Sequence, residues 1–230
     1  MRVLGVIPAR GGSKGIPRKN LALLGGRPLL AHAAEAAAQS KRLTRVILST
    51  DDAEIAAVGR SFNVEAPFMR PAELAKDDTP MLPVLQHAVR TLEQQGDRYD
   101  AVCLLQPTSP LRTGEAVDDC IRMLEESGAD AVVTVCEVPH HYNPHWVYFG
   151  DPESGLRLST GEAEPIGRRQ ALPPAYHREG SIYVTRRDVL IEQNSIYGSR
   201  LLGYVVDQQQ SVNIDAPADL ARAEMIVSHG

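Results

Sequence analysis

Short apolar, β-branched runs alternate along most of the chain with stretches in which apolar residues recur every three or four positions. The runs predict strands at Arg2–Ile7, Arg45–Ser49, Ala101–Leu105, Ala131–Val135, Ser181–Thr185 and Leu201–Val206. The longer period predicts helices over Leu29–Gln39, Ala53–Ser61, Pro80–Gln95, Gly114–Glu126 and Pro217–Val227. Pro80 and Pro217 suit a first helical turn, where a missing N–H has no partner to lose. Strands that are apolar throughout, each followed by an amphipathic helix, predict an α/β fold: a three-layer, Rossmann-like, mostly parallel sheet covered on both faces. From Pro139 to about Arg178 the rhythm stops and the chain becomes rich in Pro, Gly, His and aromatics. A segment of that length without βα periodicity reads as an inserted arm, 139–178, protruding from a single domain that spans 1–230.

The composition narrows the partners. A chain of 230 residues suits one α/β domain with a good core, and its net charge of −5 argues against nucleic acid as a ligand. Cys103, Cys120 and Cys136 are too few and too widely spaced for a disulfide framework or a cysteine-rich zinc site. No apolar run approaches the roughly 18 residues of a membrane span, and the N-terminus opens on a strand without a signal-peptide core. A cytoplasmic protein with no membrane association is expected.

Against this acidic background one basic stretch stands out. The first predicted strand runs into Pro8-Ala9-Arg10-Gly11-Gly12-Ser13-Lys14-Gly15-Ile16-Pro17-Arg18-Lys19-Asn20, which places four cations and no acid within ten residues, 10–19. Gly11, Gly12 and Gly15 let the backbone approach a ligand, and Ser13 adds a hydroxyl donor. A phosphate contact near 4 Å is worth roughly 4 kcal/mol gross at an effective dielectric near 20, against about 1 in water. A partly enclosed loop of this kind, at the carboxyl end of a strand, predicts a triphosphate site. Neither the Gly-Lys-Ser/Thr of a P-loop nor a Gly-x-Gly-x-x-Gly opening a helix is present.

Further motifs follow in order: Ser49-Thr50-Asp51-Asp52, Arg70-Pro71-Ala72-Glu73-Leu74-Ala75, Leu104-Leu105-Gln106-Pro107-Thr108-Ser109-Pro110-Leu111-Arg112, Arg169-Gln170, Gly180-Ser181-Ile182-Tyr183 and Ser211-Val212-Asn213-Ile214-Asp215. Together with the basic loop they make the chain, over nearly its whole length, resemble the acylneuraminate cytidylyltransferases, also called CMP-sialic acid synthetases. The resemblance implies a sheet of the nucleotide-diphosphosugar transferase type with a dimerisation arm. It also implies transfer of CMP from CTP to the anomeric hydroxyl of a nonulosonic acid, with release of pyrophosphate and a requirement for Mg²⁺. The related Kdo cytidylyltransferases usually carry Tyr-Gly-Ser-Thr-Arg where this chain has Gly11-Gly12-Ser13-Lys14, which leaves a Kdo-type enzyme as the alternative.

By the same resemblance, Ala9, Arg10, Gly11, Gly12, Ser13, Lys14, Lys19, Asn20, Arg70, Asp78 and Thr79 hold the nucleotide, Arg10 and Lys14 meeting the charge that develops in the reaction. Arg70 has a plainer reading as a surface ion pair with Glu73. Gln106, Thr108 and Ser109 face the acceptor sugar, Arg169 and Gln170 read its acid group, and Tyr183 either joins them or packs in the core. At the metal end the family usually has Asp-Ile-Asp, whereas this chain has Asn213-Ile214-Asp215. Asp215 is then the catalytic metal carboxylate, with Asn213 offering a carbonyl oxygen; its plainer role is a helix cap before Pro217. The lost carboxylate also admits a noncatalytic nucleotide-binding protein with a decayed metal site, against which the intact basic loop, Gln106 and Asp215 argue. Exposed aromatics in the arm, among them Trp146, Tyr148 and Phe149, predict a homodimer that buries them.

Overall fold

A computed structural model describes residues 1–229. Strand β1 (Val3–Pro8) is buried along its whole length and leads into the basic loop. A two-residue hairpin, β2 (Leu23–Leu24) and β3 (Arg27–Pro28), turns the chain into α1 (Leu29–Gln39). Then come β4 (Arg45–Ser49), α2 (Ala53–Ser61), α3 (Met81–Gln94), β5 (Ala101–Leu105), α4 (Gly114–Ser127) and β6 (Ala131–Glu137). The arm carries the hairpin β7 (Tyr148–Asp151) and β8 (Gly155–Leu158), and the chain closes with β9 (Tyr176–Arg186), α5 (Arg187–Ile191), β10 (Leu201–Val205) and α6 (Pro217–His229).

The main sheet has six strands in the order β10-β6-β9-β5-β1-β4. β1 pairs parallel with β4 and β5, and β10 with β6, so the carboxyl ends of these strands share one edge. Side chains alternate across the sheet as a period of two requires. Val3, Ile7, Cys103, Leu105, Ile182 and Val184 face α1, α2 and α4 in one core, while Leu4, Val6, Val102, Leu104 and Tyr183 face α3 and α5 in the other. Helix α2 starts where Asp52 accepts from the N–H groups of Glu54 and Ile55, and α4 where Thr113 accepts from Ala116. The cysteines are buried and free.

Strand β9 corrects the expectation in length and direction. It begins five residues before the predicted Ser181 and runs antiparallel to both neighbours, with Leu104 opposite Tyr183 and Glu137 opposite Tyr176. An apolar run reveals a strand but not its direction. Reversal brings the start of β9, Tyr176–Gly180, to the edge where β1 and β5 end. The register shifts between Val133 and Val135, which pair with Tyr183 and Arg178, so Glu179, Gly180 and Ser181 bulge from the ladder, with Gly180 at φ +90°.

Candidate active site

A cleft of about 970 Å³ opens along this carboxyl edge. Its first wall is the basic loop, from which Arg10, Gly12, Ser13, Lys14, Lys19 and Asn20 reach the cavity. Asn20 is buried and donates from Nδ2 to the Arg10 carbonyl at 2.9 Å, and the Ser13 hydroxyl accepts from the Lys19 N–H at 3.0 Å. These bonds shape the loop, leaving the Gly12–Lys14 stretch against the cavity. Lys14 is 83 % exposed and the Arg10 guanidinium lies beside it, both paired with Asp77 at 2.8 and 2.7 Å. The hydrogen bond from Lys14, with the charge of Arg10, holds the Asp77 carboxyl below its ordinary range.

Three loop residues sit elsewhere than the sequence suggests. Ala9 is wholly buried and its N–H is bonded to the Ser49 carbonyl at 3.0 Å. The Gly11 N–H donates to Asp51 at 3.0 Å, and a Cβ on Gly11 would stand 2.6 Å from the Asp52 carboxylate. Arg18, in the left-handed region at φ 53°, pairs with Asp52 and Glu54 at 3.0 and 2.8 Å. Ala9 and Gly11 therefore support the loop from behind, and three of its four cations serve the cleft.

Arg70 lines the cavity floor and is only 6 % exposed, which removes the surface pairing with Glu73. It donates from Nε to the Ser49 hydroxyl at 3.1 Å and from Nη2 to the Ser49 carbonyl. Burial pulls its guanidinium down to about 10, which leaves it charged at neutral pH. Thr79 reaches the cavity, but its acidic neighbour there is Asp77; Asp78 is exposed and off the wall.

Beyond β5, Gln106 and Thr108 line the cleft, and Gln106 donates to the Gly180 carbonyl at 3.3 Å. The turn is clamped by Arg112, whose Nη2 donates to the Gln106 carbonyl and, at 2.7 Å, to that of Ser109. Ser109 is 3 % exposed and lies behind the turn, outside the cleft wall. Tyr183 is both core and site, packed beneath the sheet while its ring borders the cavity. Arg169 and Gln170 are exposed on a short 3₁₀ turn of the arm and do not line the cleft of their own chain. In their place the start of β9 supplies His177, Arg178, Glu179 and Gly180, with Tyr197 and Ile196 beside them. Burial pushes the Glu179 carboxyl up, but hydrogen bonds from Ser181, Thr134 and Ser211 outweigh it and hold the group below its usual range.

The remaining wall comes from the far end of the chain. Asn213 and Asp215 flank the buried Ile214 and share one exposed face, as a period of two predicts. Ile214 N–H donates to the Thr108 carbonyl at 2.7 Å, tying this segment to the Gln106 turn. Asp215 accepts from Lys19 Nζ at 2.8 Å and from the Asn213 amide at 2.5 Å. It caps no helix: Asp219 accepts from the N–H groups of Asp215 and Ala216 at 3.0 and 2.8 Å instead. The Asp215 carboxylate thus holds no helix end: paired with Lys19 and Asn213, it lines the cleft beside the basic loop. Among the described residues no group of three or more His, Cys, Asp or Glu side chains is placed to hold a metal. A divalent ion taken here would rely on Asp215, the Asn213 carbonyl and oxygens of the substrate, a set that suits Mg²⁺.

Comparison with known proteins shows the family and the fold. The chain is 32 % identical over 228 residues to a CMP-N,N'-diacetyllegionaminic acid synthase of Legionella pneumophila, covering 99 % of this chain and 97 % of that one. It is 30 % identical to a pseudaminic acid cytidylyltransferase of Campylobacter jejuni, over 98 % of this chain and 96 % of the other. An N-acylneuraminate cytidylyltransferase of Escherichia coli is 28 % identical over 96 % of this chain, which spans 51 % of that protein. Among solved structures, a CMP:2-keto-3-deoxy-manno-octonic acid synthetase complexed with CTP shares the fold at TM-score 0.74 and 18 % identity, covering 100 % of this chain and 99 % of that one. The family model described as Cytidylyltransferase matches residues 4–227, and this chain belongs to that family.

Proposed function

We propose that the protein transfers CMP from CTP to the anomeric hydroxyl of a nonulosonic acid and releases pyrophosphate. The observation that carries this reading is the single cleft that joins the cationic loop to the Gln106–Tyr183 end along one sheet edge. Strands lie about 4.8 Å apart, so β1 and β9, two strands apart, set the two ends of the cleft about 10 Å from each other. That span suits a nucleotide at one end and a sugar acid at the other. Relatives at 28–32 % identity named for legionaminic, pseudaminic and N-acylneuraminic acids support this acceptor class over Kdo.

In the reaction the acceptor oxygen forms a bond to the α-phosphorus, the bond from that phosphorus to the oxygen bridging the β-phosphate breaks, pyrophosphate leaves with that oxygen, and the hydroxyl proton passes to water. Charge grows on the equatorial and leaving oxygens, where Arg10 and Lys14 stabilise it after exchanging Asp77 for phosphate. Lys19 orients Asp215, and the backbone of Gly12–Lys14 borders the phosphates. Bound Mg²⁺, held by Asp215 with Asn213 and phosphate oxygens, would neutralise charge on the triphosphate.

The arm supports assembly as a homodimer: Tyr142, Tyr148, Phe149, Leu156 and Tyr176 are all exposed on it or at its root. Phe149→Asp should turn a dimer into a monomer in light-scattering chromatography. Free thiols and CTP as substrate support a cytoplasmic location, and no described helix is long and apolar enough to cross a membrane. The activity itself is tested by pyrophosphate release from CTP with Mg²⁺ and a panel of diacetyllegionaminic, pseudaminic, N-acetylneuraminic and Kdo acids. Turnover with Kdo alone, or with none, would overturn the proposal.

A further inference from the structure

We infer that Arg112 is a positioning residue for CMP transfer: from behind the Gln106–Ser109 turn it sets the acceptor wall and the Asn213–Asp215 segment together. The inference rests on reading the cleft as a CMP-transfer site and concerns what keeps two walls of that site in register. Arg112 does not itself line the cleft, so whatever it does there it does through other residues.

What marks Arg112 is how few partners its charge has. Burial pulls its guanidinium down to about 10, with the charge of Glu179 offsetting part of the shift, so it stays ionised at neutral pH. Nε and Nη1 are buried without an acceptor. Unpaired buried donors are costly, and a Met or Leu would occupy the same space without them. Both hydrogen bonds that the guanidinium makes come from Nη2 and go to one element, the carbonyls of Gln106 and Ser109, the latter at 2.7 Å. The guanidinium is therefore directed at the turn and at nothing else.

The turn has little else to hold it. Pro107 and Pro110 bring no N–H, and among the described residues its one internal backbone bond runs from the Ser109 N–H to the Gln106 carbonyl at 3.2 Å. Leu111 packs against the cluster of Val212 and Ile214, but on the other flank Ser109 and Arg112 border a second cavity of about 220 Å³ that Ser211 also lines. Packing thus backs the turn on one side only. Yet two walls of the site depend on it. Gln106 and Thr108 line the cleft, and Gln106 Nε2 donates to the Gly180 carbonyl at the β9 bulge, at 3.3 Å. The Thr108 carbonyl takes the Ile214 N–H at 2.7 Å, between the two residues proposed to hold Mg²⁺. Without Nη2 the carbonyls of Gln106 and Ser109 must find other donors. A turn that rotates to find them carries the Gln106 side chain and the Thr108 carbonyl with it, so a single loss is felt at both walls.

Steady-state kinetics of the intact protein test this, with CTP and whichever of diacetyllegionaminic, pseudaminic or N-acetylneuraminic acid turns over fastest. Arg112→Met removes both bonds and should raise the acceptor KM and the Mg²⁺ concentration for half-maximal rate together, each about 10- to 100-fold. Arg112→Lys keeps the charge and most of the volume, so it should fold even where the Met variant does not. Its shorter side chain leaves the ammonium short of the Nη2 position, and weakening one ordinary hydrogen bond should raise both constants about 3- to 10-fold. A residue needed only for stability would lower Tm and the folded fraction and leave both constants of the folded protein at wild-type values. Calorimetric titration of Arg112→Lys with CTP, without metal or acceptor, should give wild-type affinity, because the basic loop makes no hydrogen bond to Arg112 among the described residues. Wild-type values of both constants in folded Arg112→Lys, a rise in only one of them, or an equal loss of metal-free CTP affinity would overturn the assignment while leaving CMP transfer intact. Inactivity of the wild type with CTP and all three acids would overturn the underlying reading and this assignment with it.

Discussion

Gly15→Ala is the sharpest probe of how the basic-loop end of the cleft is built. Gly15 lies against the carbonyl oxygen of Asp215, closer than any side chain permits, and its φ is outside the left-handed region. An alanine there meets no backbone strain of its own, only an oxygen in the space its Cβ needs. That oxygen belongs to backbone held by Ile214, which is fully buried and bonded to Thr108, so it cannot rotate away as a side-chain tip would. Overpacking of this kind costs about 1–3 kcal/mol. For a domain of this size each kcal/mol lowers Tm by about 2–4 °C, so a drop of roughly 2–12 °C is expected. Relief requires the loop and the Asn213–Asp215 segment to separate, and a displacement of about 1 Å in a site of this kind costs on the order of 100-fold in turnover. Gly12→Ala is the control for stability, because nothing lies within 4 Å of its Cβ position. Differential scanning calorimetry and pyrophosphate release measure the two effects. A Gly15→Ala protein with wild-type Tm and wild-type kcat would refute the claim that contact between these segments sets the site.

Asp215→Asn should nearly abolish turnover with the fold intact, while Asn213→Asp should lower the Mg²⁺ concentration for half-maximal rate; a magnesium titration of both variants checks the pair. Arg10→Ala and Lys14→Ala should each lower kcat roughly 100-fold through loss of one transition-state contact of about 3 kcal/mol, read from single-turnover rates. Asp77→Asn frees the same two cations and should lower the KM for CTP, since the nucleotide no longer displaces an internal anion. Burial, with the nearby charge of Arg70, holds His87 below its ordinary pKa of 6.5. The unfolded chain therefore takes up the proton first as pH falls, and stability should decline below about pH 6.5 and level off above it. In His87→Phe the change in Tm between pH 5.5 and 7.5 should shrink.

Much of this architecture was legible in the pattern of residues. β4, β5, α1 and α2 have the predicted bounds, because each is a run of one period closed by a clear stop. The place of the basic loop on the cleft wall was equally legible, since glycines and cations crowd into one stretch beside a strand. Asn213 and Asp215 fall on one face because two residues apart in extended chain means the same side. The direction of β9 was not legible, for apolar alternation reads the same both ways, and with it the cleft roles of His177 and Arg178 were lost. Asp77 and Asp78 sit in a loop without a period, so nothing local told which of them faces Arg10. Arg169-Gln170 is a local motif, but its distance from the cleft is set by the path of the arm, which no short-range pattern encodes.

The contact between the two ends of the chain bears on how the protein is born. Lys19 and Asp215 are 196 positions apart, yet together they form one corner of the site. At roughly 5–20 residues per second, a ribosome that has made Lys19 needs about 10–40 s to reach Asp215. Throughout that interval the basic loop exists without the wall that faces it. Helix α6 must then pack Ala223 against Leu24 and Leu29 before that corner can close. Nucleotide capture is consequently one of the last properties the chain acquires, and a transcript cut short near its end yields a sheet that can form and a cleft that cannot.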